Sequence, residues 1–391
     1  MKKLFLIVLL LGAGMVTGQN DRTVRVRLFA RYNLKQVSLS LDTSRYYVLA
    51  MNQENRLIDT VYDVFPGDSL RTYYLRHGVR GIRLSRGPEY LGTYERLQFL
   101  SKDPRRQFRI SSHGQNRSYF GNLHFWEEAS ELMVVNEVAL PRYVAAVVES
   151  EAGHVGLPEF FKAQAVLART YAMRRRDRFQ EQGYDLTDGV SSQVYRNKAH
   201  YTYAAQINAA VEATRDTILL LEEDEPILSV FHANSGGYTL NSEDVWLEPV
   251  PYLRSRSDSF SVGGDSYRWE RRITTERFFR YFADRLGVKN NLDLQKALLN
   301  FDQRERRSHF RYQGRSLKLT EFRRDFGLRS TYFQVEKEGA YIILKGWGYG
   351  HGVGLSQDGA IEMARQGYSY RAILRFYYAE VKLGTIEQLR S

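Results

Sequence analysis

The chain of 391 residues contains no cysteine. That absence excludes disulfides, thiolate zinc sites, a cysteine nucleophile and a lipid-modified N-terminal cysteine together. The fold must rest on an ordinary hydrophobic core, and the chain is long enough to build one, as two domains or one elaborated domain. Long apolar runs are also missing: after the first eighteen residues no stretch is long enough to cross a bilayer. There is no repeat of fixed period and no low-complexity linker. There is no H-E-x-x-H pair, no Walker loop and no G-x-G-x-x-G, which removes the commonest sequence marks of zinc hydrolysis and nucleotide binding. The expectation is a protein with no cofactor and no metal, although His232 and His351 keep ligation possible in principle.

What is present begins with a leader. Lys2 and Lys3 precede an apolar run from Leu4 to Leu11 and a small-residue stretch ending at Gly18-Gln19, the pattern of a secretory signal spanning residues 1–18. The expected location is therefore outside the cytoplasmic membrane, in a periplasm or cell wall, with no transmembrane span once the leader is removed. The formal net charge is +11. Removing the leader, which carries two lysines and no acids, leaves +9. A basic exported chain is drawn to polyanionic surfaces such as a cell wall. Nucleic acid is the competing partner for any basic chain, and an export signal argues against it.

Between Val24 and about Trp126 short alternating runs such as Val24-Arg25-Val26-Arg27-Leu28 are punctuated by Gly, Asn, Asp and Ser, which predicts a β-rich region over 19–130. Helices are expected over 140–151, 157–182, 203–214, 356–366 and 369–378, with strands around 218–221, 228–232 and 341–344. Ser356 and Ser369 are natural N-caps and Gly367 a natural stop. The class is α+β, with a mixed helix and sheet domain over 131–391.

Three places carry polar groups suited to chemistry. On the helix over 140–151, Val144, Val147, Val148 and Glu151 fall on one face, whereas Glu149 shares the face of Arg142 and Ala145, read as solvated. Burial against valines and the negative helix end both favour a protonated Glu151, as a proton donor to a glycosidic oxygen requires. The plain alternative is a carboxylate that caps a loop or pairs with Lys162 or Arg169. Those two cations lie seven apart on the next helix, where they either orient the acid or tie the helices together. His232-Ala233-Asn234-Ser235-Gly236-Gly237 lacks the first glycine of a serine-hydrolase elbow and is read as a tight turn offering Ser235 and backbone N–H groups to a sugar. Gly346 to Gly354 places glycine at every second position, which permits close approach of a strand or a glycan, and its single ionisable group, His351, reads as a packing or orienting residue.

These stretches, taken together, resemble the stage II sporulation protein D family, which includes amidase-enhancer proteins. The similarity runs through Leu140-Pro141-Arg142-Tyr143-Val144 to Glu151, Lys162-Ala163-Gln164-Ala165-Val166 with Ala168-Arg169-Thr170-Tyr171-Ala172, Ser192-Gln193-Val194-Tyr195, His232 to Gly237, Phe326 to Thr331, and Gly350 to Gln357, in the family's order over roughly 115–385. The resemblance implies a peptidoglycan lytic transglycosylase that cuts the MurNAc–GlcNAc bond without water and leaves a 1,6-anhydro end. It implies Glu151 as the catalytic acid and base. Lys162, Gln164, Arg169, Tyr171, Gln193, Tyr195, His232, Ser235, Gly236, Gly237, His351 and Gln357 are the implied glycan-binding set. It also implies a preference for strands stripped of stem peptides, hence a partner N-acetylmuramoyl-L-alanine amidase. Some family members bind zinc through His and Cys ahead of the Gln193 stretch; here Tyr184 to Ser191 carries neither. Two rivals stand beside this reading: a non-enzymatic wall-binding protein that stimulates an amidase, and a basic nucleic-acid binder, which steep salt dependence would reveal.

Overall fold

The computed structural model describes residues 22–390 except 43–45, 62–69, 104, 106, 153–154, 190–191, 197–201 and 247. The expected leader lies outside the described residues. Strands dominate the first part: β1 (Thr23–Arg27), β2 (Gln36–Asp42), β3 (Tyr46–Met51), β4 (Leu57–Thr60), β5 (Leu70–Arg76), β6 (Ile82–Arg86), β7 (Glu89–Tyr94), β8 (Arg96–Ser101), β9 (Gln107–Ser112), β10 (Gln115–Phe120), β11 (Asn122–Glu128) and β12 (Glu131–Ala139). Their alternation follows the pleat: in β1, Val24 and Val26 are buried while Thr23 and Arg25 face out.

α1 (Leu140–Ala152) continues from β12, followed by α2 (Pro158–Arg175), β13 (Leu186–Thr187), α3 (Ala204–Ala213) and β14 (Thr217–Leu220). One sheet then has the order β13-β1-β12-β11-β8-β3-β4 and a second has β10-β9-β2-β5-β6-β7. The two pack face to face, with Tyr73 of one meeting Phe99 of the other edge-on at 5.8 Å and Phe99 meeting Phe125 at 5.5 Å. β13 pairs parallel to β1, so the chain beyond α2 returns to complete the first sheet.

α2 is buried on nearly every side, from Phe160 through Ala172. It forms the centre of the helical layer, against α1, α3 and β14, as an all-round apolar helix must. It ends at Arg175 rather than at the expected Gln182, because a separate 3-10 turn over Gln180–Gln182 intervenes. Gly183, at φ 83°, terminates that turn instead of the long helix. The 204–213 helix and the 217–220 strand agree with expectation, whereas the strand expected over 228–232 shrinks to β15 (Phe231–His232).

The remainder comprises α4 (Ser242–Val245), β16 (Arg268–Thr274), α5 (Thr275–Leu286), α6 (Leu292–Leu299), β17 (His309–Tyr312), β18 (Arg315–Lys318), α7 (Leu319–Phe326), β19 (Tyr332–Glu338), β20 (Tyr341–Trp347), β21 (Leu355–Ser356), α8 (Gln357–Arg365), α9 (Tyr370–Tyr377) and β22 (Lys382–Thr385). β16, β20 and β19 form a small sheet whose helices enclose a separate phenylalanine-rich core around Phe278, Phe282, Phe322 and Phe333. Ser356 and Ser369 cap α8 and α9 by accepting from the Gly359 and Ala372 N–H groups, as their sequence contexts predict. The fold is α+β.

Candidate functional site

α1 forms because Leu140-Pro141 opens it and the run Val144-Ala145-Ala146-Val147-Val148 packs its middle, with Glu149, Ser150 and Glu151 following. Val144, Val147 and Val148 are buried as expected. Glu149 is buried too, which corrects its reading as a solvated residue: β1, β12, α2 and α3 all pack on this helix, so little of its circumference stays open. Glu151, in the last turn, is only half-buried.

The segment 193–196 docks along α1, from its first turn to its last, through three hydrogen bonds. The Tyr143 hydroxyl donates to Gln193 Oε1 at 3.2 Å, the Val194 N–H to Glu151 Oε1 at 3.2 Å, and the Arg196 N–H to Ser150 Oγ at 3.2 Å. Positions 143 and 150, seven apart, share one helical face, and Glu151 lies one residue further round beside it. From the opposite end of the chain, the first residue of α8 arrives: Gln357 Nε2 donates to the Glu151 carbonyl at 3.4 Å. Three segments far apart in sequence therefore meet at one glutamate.

Tyr171 belongs to this neighbourhood, its hydroxyl bonded to Ser192 and Arg175 and its ring close to Tyr143. Tyr195 is buried, stacked on Tyr119 at 4.9 Å and against Tyr143 at 5.1 Å, with its hydroxyl donating to Asn136 Oδ1 at 2.7 Å. Burial pushes the Tyr143 and Tyr195 phenols well above their ordinary range, so both stay neutral. Gln193 is 4% exposed and its Nε2 has no hydrogen-bond partner among the described residues, and the same holds for Gln164 Nε2 on α2. An unpaired buried amide donor costs free energy and invites an acceptor.

The two cations of α2 serve other ends. Lys162 pairs with Glu159 one turn earlier at 2.6 Å, and Glu159 also accepts from the Tyr370 N–H, joining α2 to α9. Arg169 is 1% exposed and donates to the carbonyls of Thr217 at 2.9 Å and Val211 at 3.3 Å, locking α2 against α3 and β14. Of the two roles open to these cations, tying helices together is the one their hydrogen bonds serve.

The 232–237 turn faces inward, which corrects the expectation that it presents Ser235 and free N–H groups to a ligand. Ser235 is fully buried; its Oγ donates to Asp258 Oδ2 at 2.8 Å and lies 2.6 Å from Ser261 Oγ. The Gly236 N–H donates to Asn234 Oδ1 and the Gly237 N–H to the Ser235 and Ser261 hydroxyls. Tyr377 donates to the other Asp258 oxygen at 3.1 Å. Burial raises the Asp258 carboxyl above the usual carboxylate range, against the lowering effect of those hydroxyls.

The glycine-rich stretch approaches backbone, not solvent. Asn234 and Tyr349 exchange backbone hydrogen bonds at 3.0 and 2.8 Å, while β15 pairs parallel to β21. Gly350, at φ 113°, passes so close that a Cβ there would lie 2.7 Å from His232 Cβ. His351 is held by backbone on both nitrogens: Nε2 donates to the Phe231 carbonyl at 2.9 Å and Nδ1 accepts from Val353 N–H at 3.1 Å. His232 Nδ1 donates to the Val353 carbonyl at 3.1 Å, and the two rings sit 5.3 Å apart. Burial lowers His351 to about 4 and His232 well below its usual value, so both are neutral imidazoles. Trp246, missed in the sequence, flanks His351 at 5.3 Å. Among the described residues no group of three His, Cys, Asp or Glu side chains is placed to hold a metal ion, and no helix is long and apolar enough to cross a membrane.

A two-sheet β module feeding a helical layer, with remote polar segments gathered on one half-buried glutamate at a helix end, defines the class of protein. The family model for the stage II sporulation protein matches residues 128–221, the span that contains α1, α2 and the 193–196 segment. The chain is 32% identical over 261 residues to stage II sporulation protein D of Bacillus subtilis, covering 62% of this chain and 74% of that one. It is 31% identical over 283 residues to the protein of the same name in Bacillus amyloliquefaciens, covering 66% and 77%. It is also 27% identical over 271 residues to a Bacillus subtilis protein named amidase enhancer, covering 56% of this chain and 37% of that one. The chain belongs to the stage II sporulation protein D family.

Proposed function

We propose that this protein acts in the cell wall as an exported peptidoglycan lytic transglycosylase, with Glu151 as its acid and base. The Val194 N–H on the half-buried Glu151 carboxyl group, with Gln357 on the backbone carbonyl of the same residue and Gln193 held next to Val194 by Tyr143, carries the reading. In the first half of the reaction Glu151 gives its proton to the glycosidic oxygen as the bond from MurNAc C1 breaks. In the second, the carboxylate takes the proton of the same sugar's C6 hydroxyl as O6 closes on C1. No water enters, and the acid is restored. One group serves twice, in contrast to the paired carboxylates of ordinary glycosidases.

The Val194 N–H fixes one carboxylate oxygen, and Gln357 fixes the backbone of the same residue, so the acid is held before substrate arrives. Gln193 and Gln164 supply amide donors not used by the protein. Tyr171 and Gln357 complete the immediate surroundings. In this reading Tyr195, His232, Ser235, Gly236, Gly237, His351, Lys162 and Arg169 hold the backbone that carries the site and do not touch sugar themselves. A cell-wall amidase that strips stem peptides supplies the substrate.

The similarity to a protein named amidase enhancer supports a second reading, a glycan-binding protein that raises amidase turnover and cuts nothing. Digestion of amidase-treated sacculi with the purified protein, read by mass spectrometry, separates the alternatives. The transglycosylase reading expects 1,6-anhydro ends. Reducing ends would replace it with hydrolysis, and unchanged strand length would replace it with the enhancer.

A further inference from the structure

The outer face of the first sheet, away from the sandwich core, holds a cavity of about 240 Å³ that the reaction above does not use. Alternation along the strands brings its walls together: Arg25 from β1, His124 and Trp126 from β11, and Arg96 and Gln98 from β8, with Gly183 of the turn after α2 closing one side. Two guanidiniums line it and no carboxylate does. Arg25 is already committed, its Nε 3.2 Å from Glu137 Oε2. Arg96 is not: its Nη1 donates to the neutral Asn55 amide at 3.2 Å and its guanidinium lies 5.4 Å from the centre of the Trp126 ring, with no carboxylate in ion-pair distance among the described residues. His124 Nε2 is buried without a hydrogen bond, 3.6 Å from Glu137, and burial lowers the imidazole, so it adds no charge near neutral pH. The remaining nearby acids are engaged elsewhere, Glu128 accepting from the Trp126 indole at 3.4 Å and Asp185 from the Arg25 N–H at 2.7 Å.

We propose that this cavity is an accessory site for the carboxylate of an acidic amino sugar, bound by Arg96 with Gln98 and Asn55 serving its hydroxyl or acetamido groups. The inference rests on the wall-glycan reading for the choice of sugar. One uncompensated cation matches a monoanion better than a doubly charged phosphate, which would meet Glu137 behind Arg25. The volume is below the 300–1,000 Å³ common for sites that enclose larger ligands, so it takes one sugar unit. In wall glycan, only a muramic residue freed of its stem peptide displays such a carboxylate. The site would therefore read the stripped state of the strand at a distance from the cutting glutamate, on the far face of the sheet from the Tyr195 contact.

The test is titration of the intact Glu151→Gln protein with N-acetylmuramic acid and with N-acetylglucosamine, which has the same ring and lacks the carboxylate. N-acetylmuramic acid is expected to bind about tenfold more tightly, Arg96→Gln to erase that difference, and Arg96→Lys to keep part of it. Thermal unfolding of each variant verifies the fold, and the Trp126 indole NMR signal, assigned with Trp126→Phe, reports occupancy of this cavity. Equal binding of the two sugars, or a preference that survives Arg96→Gln, overturns the proposal. Failure of the transglycosylase reading looks different: wild-type protein would make no anhydro ends while the Arg96-dependent preference persisted.

Discussion

Around Asp258, the hydroxyls of Ser235, Ser261 and Tyr377 converge on a carboxyl group that is fully buried. Around Glu151, the Val194 backbone N–H steadies a carboxyl group in the half-open last turn of a helix. Both sites draw polar residues from remote parts of the chain. They differ in what is left over. In the first the three hydroxyls are spent on Asp258, and they clasp the 232–237 turn to α9. The second leaves the amide donor of Gln193, next to the Val194 that holds Glu151, without a partner among the described residues. Unused polarity beside an accessible acid is the signature of chemistry, and satisfied polarity in the interior is the signature of architecture.

That contrast is open to direct attack. Asp258→Ala strips the acceptor from Ser235 and Tyr377 and leaves a cavity, so it should cost about 4 kcal/mol in denaturant unfolding. If it costs under about 1 kcal/mol, the architectural assignment is wrong.

Acid sharpens the comparison next. An unfolded histidine binds its proton below about 6.5. Folded His351 does so only near 4, and burial holds His232 well below its usual value too. Between those values the unfolded state holds more protons, so stability falls as pH drops from 6.5 toward 4 and is fully present above it. His351 alone accounts for at most about 3 kcal/mol of that loss. His351→Gln should flatten the slope of unfolding free energy against pH in this window, and an unaltered slope would show that the imidazole is not the sensor. Ser235→Ala, which spares the carboxyl and removes one hydroxyl, should cost about 2 kcal/mol while glycan cleavage per folded molecule persists. The smallest effect belongs to Tyr143→Phe: loss of the bond to Gln193 should cost about 1 kcal/mol, and the loosened 193–196 segment should slow turnover several-fold with little change in substrate affinity.

Much of the frame was legible from local rules. The alternating strands before residue 130, the helix over 203–214 and the Ser356 and Ser369 caps all rest on residues close in the chain, where pattern and chemistry act together. What escaped depends on partners that no window contains. Ser235 looks like a presented hydroxyl until Asp258, 23 residues on, accepts its hydrogen bond. Arg169 looks like a substrate cation until the carbonyls of Val211 and Thr217 close around it. Glu149 looks solvated because helical spacing gives faces, not the number of neighbours that cover them. Glu151 stands out in the sequence as the carboxyl at the end of the valine stripe, but its Val194 partner is a backbone group and leaves no mark in composition.

The most direct test of the central claim is the initial rate of 1,6-anhydro product release from peptide-stripped glycan by Glu151→Gln, measured beside its unfolding midpoint. Glutamine keeps an acceptor for the Val194 N–H and cannot cycle a proton, so a loss of at least about 10³-fold with a midpoint close to wild type is predicted. A variant that still releases anhydro product at a comparable rate would contradict the account.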